Sequence, residues 1–190
     1  LFNLKKNDSF GIFEIGMDKK GEIDYLSKII KPDVGVITNI SYAHIKNFEN
    51  INQIALAKSE IIKNIKEDGY LVLNRDDKFY NFHKKIALKR NLKILSFSLK
   101  YKSATINLDS ISKEKSKYKI NININKTQKY FYSNSFFEND LKNLLATITI
   151  ISIFKDIHKL HKNIFYDYKT TNGRGDITKI KLYKKNFYLV

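Results

Sequence analysis

Short apolar runs alternate with amphipathic stretches over the first half of the chain. The runs have the length of buried strands and span residues 10–15, 34–40, 70–73 and 93–97. The stretches between them place apolar residues three or four positions apart, as helices do, and the first ends just before Pro32. This order predicts an α/β fold with a mainly parallel sheet flanked by helices.

The pattern changes in the middle of the chain. From residue 104 to residue 132 apolar and polar positions alternate with a period of two, which predicts an insertion of antiparallel strands with lysine-rich turns. A helix is expected to begin near Asn139 or Asp140. The final stretch, 177–190, has the pattern of two further strands.

Composition limits the classes of function. The 190 residues include no Cys, so neither disulfides nor a thiolate metal site are possible. No run of about 18 apolar residues occurs, so no membrane span is expected. The first residues lack the apolar core of a signal peptide, and the absence of an initiator Met suggests that the sequence begins within a gene.

A net charge of +16 raises the question of a nucleic-acid partner. Nearly all of the positive charge is Lys, and the lysines are scattered along the chain, which favours a solvated surface over a groove for a phosphate backbone. A basic nucleic-acid-binding module stays an alternative. It would require Lys and aromatic side chains to gather on one face.

Two side chains are placed to reach the carboxyl edge of the predicted sheet, where ligands of open α/β sheets bind. Glu14 lies at the end of the first apolar run and is followed by Gly16. His44 follows the second run by a few residues. The alternatives are a solvated carboxylate at a strand end and a structural histidine.

Lys58 falls inside the apolar stripe of the helix predicted from about Asn50 to Lys66. A Lys in that position must extend to solvent, pair with a carboxylate or be chemically altered. A buried Lys that loses its proton can attack carbon dioxide and become an anionic carbamate. No phosphate loop of the form G-x-x-x-x-G-K-[ST] occurs, so motifs alone do not predict an ATPase.

Seven short segments follow one another along most of the chain. They are Glu14–Ile23, Lys31–Ile40, Ala43–Ile45, Ile54–Ile61, Leu73–Asp77, Asn143–Ala146 and Asn172–Gly175. In the same order they resemble motifs of the Mur ligase family, among them E-x-G-x-x-x-x-G-E-I, I-A-x-A-K-x-E-I and L-N-A-D-D. The first segment is most similar to the members that add D-alanyl-D-alanine to a muramoyl tripeptide.

The resemblance implies an ATP-dependent ligase that forms an amide bond in peptidoglycan precursor synthesis. ATP would phosphorylate the carboxylate of UDP-N-acetylmuramoyl-tripeptide, and the amine of D-alanyl-D-alanine would then attack the acyl phosphate. The implied cofactors are ATP and Mg2+. A cytoplasmic monomer without a membrane or nucleic-acid partner is expected.

The resemblance also implies roles for the three side chains already singled out. Glu14 and His44 would be magnesium ligands, and Lys58 would be carbamylated, its anion helping to position a second magnesium ion. His44 and Lys58 are therefore the predicted catalytic residues. Converging anionic and imidazole ligands fit phosphoryl transfer, because divalent ions offset the charge of the phosphates.

Four further residues are predicted to bind the nucleotide. Asn143 would contact the adenine and Arg174 the phosphates, while Asn139 and Asn74 are additional candidates. For Asn74 the alternative is a plain turn that caps the following helix.

The chain departs from the family pattern near the adenine site. Asn139-Asp140 stands where the family has H-N, and Ser135–Phe137 replaces a proline-glycine element. A non-catalytic remnant of the fold is therefore a second alternative. The family's phosphate loop, UDP-binding domain and C-terminal domain have no counterpart in the sequence, so 1–190 is interpreted as a partial central ATP-binding domain that is inactive by itself.

Overall fold

The computed structural model describes residues 5–42, 47–125 and 127–167, together with the backbone of 178–182 and 185–189. The helices are α1 (Glu22–Ile30), α2 (Ile51–Lys58), α3 (Ile61–Asn64), α4 (Tyr80–Leu88) and α5 (Glu138–Phe154). The strands are β1 (Val34–Ile37), β2 (Tyr70–Asn74), β3 (Lys93–Ser98), β4 (Ile106–Glu114), β5 (Lys117–Ile124), β6 (Thr127–Ser133), β7 (Thr178–Leu182) and β8 (Lys185–Leu189).

Strands β1 to β6 form one sheet in sequential order. The pairings from β1 to β4 are parallel, and the pairings β4–β5 and β5–β6 are antiparallel. The predicted α/β sheet with an antiparallel insertion is confirmed. Strands β7 and β8 pair antiparallel in a separate two-stranded sheet, as the final stretch predicted.

Two apolar layers cover the two faces of the sheet. Leu71 and Leu73 of β2 face a layer that includes residues of α1 to α4, whereas Val72 faces the layer under α5. Crossovers between successive parallel strands are right-handed, so they place α2, α3 and α4 on the same face when the strands advance in one direction. Helix α5 then packs on the face that these crossovers leave open.

The prediction of a buried strand at 10–15 is wrong. This segment forms no strand, and Phe10 and Ile12 are 59% and 97% exposed. The segment and β1 line a common cavity but form no hydrogen-bond ladder with each other. An apolar run becomes a strand only where a neighbouring strand supplies partners for its backbone groups.

The helix predicted from Asn50 to Lys66 begins as expected but is divided. The Asn50 side chain accepts hydrogen bonds from the backbone N–H groups of Asn52 and Gln53, at 3.0 and 3.1 Å. Helix α2 ends at Lys58 and α3 starts three residues later. Between them Glu60 is buried, and its carboxylate accepts the N–H groups of Gly21 and Asp24 at the start of α1.

None of the helices in the described ranges is long and apolar enough to cross a membrane.

Gly69 provides a test of the packing between α3 and β2. A Cβ on Gly69 would lie 2.8 Å from the carbonyl oxygens of both Asp33 and Lys66, neither of which can move away without shifting the backbone. We expect Gly69→Ala to lower the free energy of unfolding by about 1–3 kcal/mol. Gly16→Ala is the matched control, because no heavy atom lies within 4 Å of the added Cβ. Urea unfolding curves that coincide for the two variants would contradict this view of the packing.

Candidate active site at the carboxyl edge of the sheet

The carboxyl edge of the sheet is defined by the ends of β1, β2 and β3. Because the three strands are parallel and in register, Ile37, Asn74 and Ser98 end them on the same side. Polar side chains follow each of these ends. This edge is where ligands of open α/β sheets bind.

Lys58 reaches this edge from the last turn of α2. Its half-buried side chain donates a hydrogen bond from Nζ to the carbonyl oxygen of Asn39, at 3.0 Å, two residues beyond β1. Burial lowers the pKa of the Lys58 ammonium, and the carboxylate of Asp77 acts in the opposite direction. Lys58 is therefore a partly desolvated amine directed at the end of β1, an edge strand of the described sheet.

Glu14 and Lys58 line the same cavity, which has a volume of about 1110 Å³ and also borders Thr38 and the segment from Phe10 to Met17. The Glu14 side chain is exposed to it. Two of the three predicted magnesium-site residues thus share one cavity. The third, His44, lies outside the described residues, and within those residues no three His, Cys, Asp or Glu side chains cluster as a metal site.

Asp77 fixes the segment after β1 whose Asn39 carbonyl accepts the hydrogen bond from Lys58. Its Oδ2 accepts the N–H of Ile40 at 2.7 Å, and its Oδ1 accepts the N–H of Phe79 at 2.8 Å. One carboxylate therefore joins the turn after β2 to the chain just after β1. The sequence placed Asp77 in a family-like turn, but its link to Ile40, 37 positions away, could be found only from the structure.

His83 is a second residue that sequence reasoning did not select. It is buried in α4, with Nε2 3.0 Å from the carbonyl oxygen of Ala55 in α2. Burial lowers the pKa of His83, the contact with Ala55 and the charge of Asp77 raise it, and the charge of Lys58 lowers it. An imidazole at a core position of a helix gives no sequence signal that distinguishes it from an ordinary packed residue.

The predicted nucleotide contact Asn74 is engaged within a turn. Its side chain is buried, and Oδ1 accepts the N–H of Asp76 at 2.9 Å. Asp76 in turn accepts the hydroxyl of Ser98 at 2.5 Å and the N–H of Leu99 at 2.7 Å. This geometry supports the alternative that Asn74 shapes the turn, and its contact with a nucleotide stays a prediction.

Asn139 and Asn143 lie one turn apart in the first half of α5, and both are exposed. The hydroxyl of Ser135, in the segment that departs from the family pattern, donates to the carboxylate of Asp140. The two amides therefore stand on an open helix face beside a locally fixed turn. Arg174, the fourth predicted nucleotide contact, lies outside the described residues.

Lysines and tyrosines meet on β5 and β6, as the nucleic-acid alternative requires. The ammonium groups of Lys117 and Lys119 lie 3.4 and 4.4 Å from the ring centroids of Tyr132 and Tyr130. However, Tyr132 is buried, and its hydroxyl donates to Glu114. The Tyr132 ring therefore lies beneath a lysine instead of forming an open platform on which bases could stack.

The sequence is related to known ligases. Residues 1–151 match the Mur ligase middle domain. The UDP-N-acetylmuramoyl-tripeptide–D-alanyl-D-alanine ligase of Rickettsia prowazekii is 29% identical over 197 residues, which cover 95% of this chain and 40% of the relative. The chain thus spans less than half the length of this relative.

Solved structures show the same fold. MurF from Acinetobacter baumannii superposes with a TM-score of 0.80 at 23% identity, over 97% of this chain and 39% of that protein. MurF ligase from Thermotoga maritima in complex with ADP gives a TM-score of 0.66 at 23% identity, over 84% of this chain and 36% of that protein. The matched middle domain contains β1 to β6 and the cavity lined by Glu14 and Lys58, and the chain therefore belongs to the Mur ligase family.

Proposed function

We propose that this chain is the central part of an ATP-dependent ligase that adds D-alanyl-D-alanine to UDP-N-acetylmuramoyl-tripeptide during peptidoglycan precursor synthesis in the cytoplasm. The observation that carries the proposal is the cavity that Glu14 and Lys58 both line, which runs along β1 of a Mur ligase middle domain. The name of the Rickettsia relative supports the reaction, and the ADP bound to the Thermotoga ligase supports ATP as the nucleotide.

Lys58 would act as a carbamate. An ammonium lining this cavity would repel a divalent cation, whereas a carbamate would attract one. To form it, the neutral Nζ attacks the carbon of carbon dioxide, an N–C bond forms and one proton is released. The lowered pKa of Lys58 favours this step, because it increases the fraction of neutral amine at a given pH.

Glu14, His44 and carbamylated Lys58 would hold Mg2+, which when bound would offset the charge of the phosphates. Asn143 and Asn139 would contact the adenine from the exposed face of α5, and Arg174 would contact the phosphates. Asn74 would contribute through the turn that it fixes with Asp76.

Other parts of the activity would come from polypeptide outside these 190 residues. We propose that a phosphate loop reaches the active site through the cavity between residues 10–17 and β1. Strand β1 is an edge strand of the described sheet, so its free side could pair with a strand leading into that loop. Domains that bind the UDP group and D-alanyl-D-alanine would complete the enzyme.

Ligase activity of the full-length protein tests the proposal. We expect phosphate release from ATP to require both UDP-N-acetylmuramoyl-tripeptide and D-alanyl-D-alanine. Lys58→Ala and Glu14→Ala should each lower kcat by at least about 100-fold, because each removes a group that positions charge at the transferred phosphate. Lys63→Ala, at an exposed position of α3, is the control and should retain activity.

Carbamylation can be observed without turnover. In 13C-bicarbonate, NMR should show a carbamate carbon signal whose intensity rises with pH, because only the neutral amine reacts and Lys58 loses its proton at a lower pH than a free lysine. The signal should disappear in Lys58→Ala and persist in Lys63→Ala. Equal signals in both variants would remove Lys58 from the mechanism.

The remnant alternative predicts a different result for the same full-length protein. It would bind neither an ATP analogue nor Mg2+ in calorimetric titrations. Binding of both with no ligation of D-alanyl-D-alanine would retain the family fold and overturn the proposed substrates.

A further inference from the structure

Arg75 is held between two tyrosine rings at the carboxyl edge of β2. Its guanidinium carbon lies 5.1 Å from the ring centroid of Tyr80, the first residue of α4, and 5.5 Å from that of Tyr101, which follows β3. Both distances are within the range of cation–π contacts. A cation–π contact does not use up the N–H donors of a guanidinium, so these donors still require hydrogen-bond acceptors.

The carboxylates next to Arg75 in sequence are engaged elsewhere. Asp76 accepts the Ser98 hydroxyl and the Leu99 N–H, while Asp77 accepts the N–H groups of Ile40 and Phe79. In the described part of the chain, no ion pair involves Arg75. No carboxylate of the described residues therefore lies within ion-pair distance of its guanidinium, although two acidic residues follow it directly.

Among the described residues, none accepts a hydrogen bond from the Nε–H of Arg75. Nε is buried and, within the described residues, forms no hydrogen bond. Buried polar groups in folded proteins nearly always have a partner, so an unpaired donor beside a ligand-binding edge indicates that the partner comes from outside. The ammonium of Lys84, 5.9 Å from the Tyr80 ring centroid, adds further positive charge.

We propose that Arg75 binds an oxyanion of a substrate at the carboxyl edge. The planar guanidinium edge matches two oxygens of one carboxylate or phosphate. Under the proposed function, on which this inference rests, the oxyanion is a carboxylate of the UDP-linked tripeptide or a phosphate of ATP. The L-N-A-D-D motif that residues 73–77 resemble has alanine at this position, so the site is a feature of this chain.

Binding measurements on the full-length protein distinguish the two sources. Isothermal titration calorimetry would give Kd for a non-hydrolysable ATP analogue and, separately, for UDP-N-acetylmuramoyl-tripeptide. We expect Arg75→Ala to raise the Kd of one ligand at least about tenfold and to leave the Kd of the other within twofold of the wild type. The reason is that a charge-assisted bidentate contact is lost with one ligand only. The ligand affected identifies the oxyanion.

Arg75→Lys keeps the charge between the two rings but removes the bidentate edge. It should raise the Kd of the same ligand by a smaller factor. This variant remains informative if Arg75→Ala does not fold. Lys78→Ala is the matched control, because the Lys78 ammonium also lies over a ring, 5.0 Å from the centroid of Phe79, on an exposed residue of the same turn. Its two Kd values should equal those of the wild type.

Two results would overturn the inference. If the Arg75 variants lower the melting temperature while both Kd values stay within twofold of the wild type, Arg75 only joins α4 to the segment after β3. If the wild-type protein binds neither ligand, the proposed function fails and this inference fails with it. The first result leaves the proposed function intact, so the two failures are distinguishable.

Discussion

The parallel pairing of β1, β2 and β3 is the constraint on which the rest of the structure depends. Val34 lies opposite Tyr70, and Tyr70 lies opposite Lys93, so the three strands start level and end at one edge. The loops after them are far apart in sequence but adjacent in space. Without this register the segment after β1, the turn after β2 and the segment after β3 could not share hydrogen bonds.

Carboxylates hold these loops by accepting backbone N–H groups. Asp77 fixes the chain after β1, Asp76 fixes the chain after β3, and Glu60 fixes the start of α1. A loop N–H that is withdrawn from water needs an acceptor, and a carboxylate can satisfy two donors at once. These carboxylates therefore use their hydrogen-bonding capacity within the fold. The chain as a whole has a net charge of +16. Among the described residues, Arg75 forms no ion pair with either of the two carboxylates that follow it.

The same arrangement of loops affects both the pKa and the position of the Lys58 amine. Burial against the core lowers its pKa, and the charge of Asp77 limits that effect. Its Nζ is directed towards the end of β1 by the carbonyl oxygen of Asn39, and the segment carrying that carbonyl is held by Asp77. The same carboxylate therefore helps to position the amine and partly offsets the effect of burial on its pKa, although the two residues lie on different crossovers.

The sequence by itself determined the α/β class, the antiparallel insertion and the presence of Lys58 in an apolar stripe, because these follow from periodicities of two and of three to four residues. It also supplied the ordered motifs that resemble the Mur ligases. It could not determine that 10–15 would fail to pair, because pairing depends on a neighbouring strand and not on the run itself. Nor could it show that Asp77 contacts Ile40, or that Arg75 contacts the rings of both Tyr80 and Tyr101. Only the tertiary structure decided these contacts, because each joins residues that the parallel register brings to one edge.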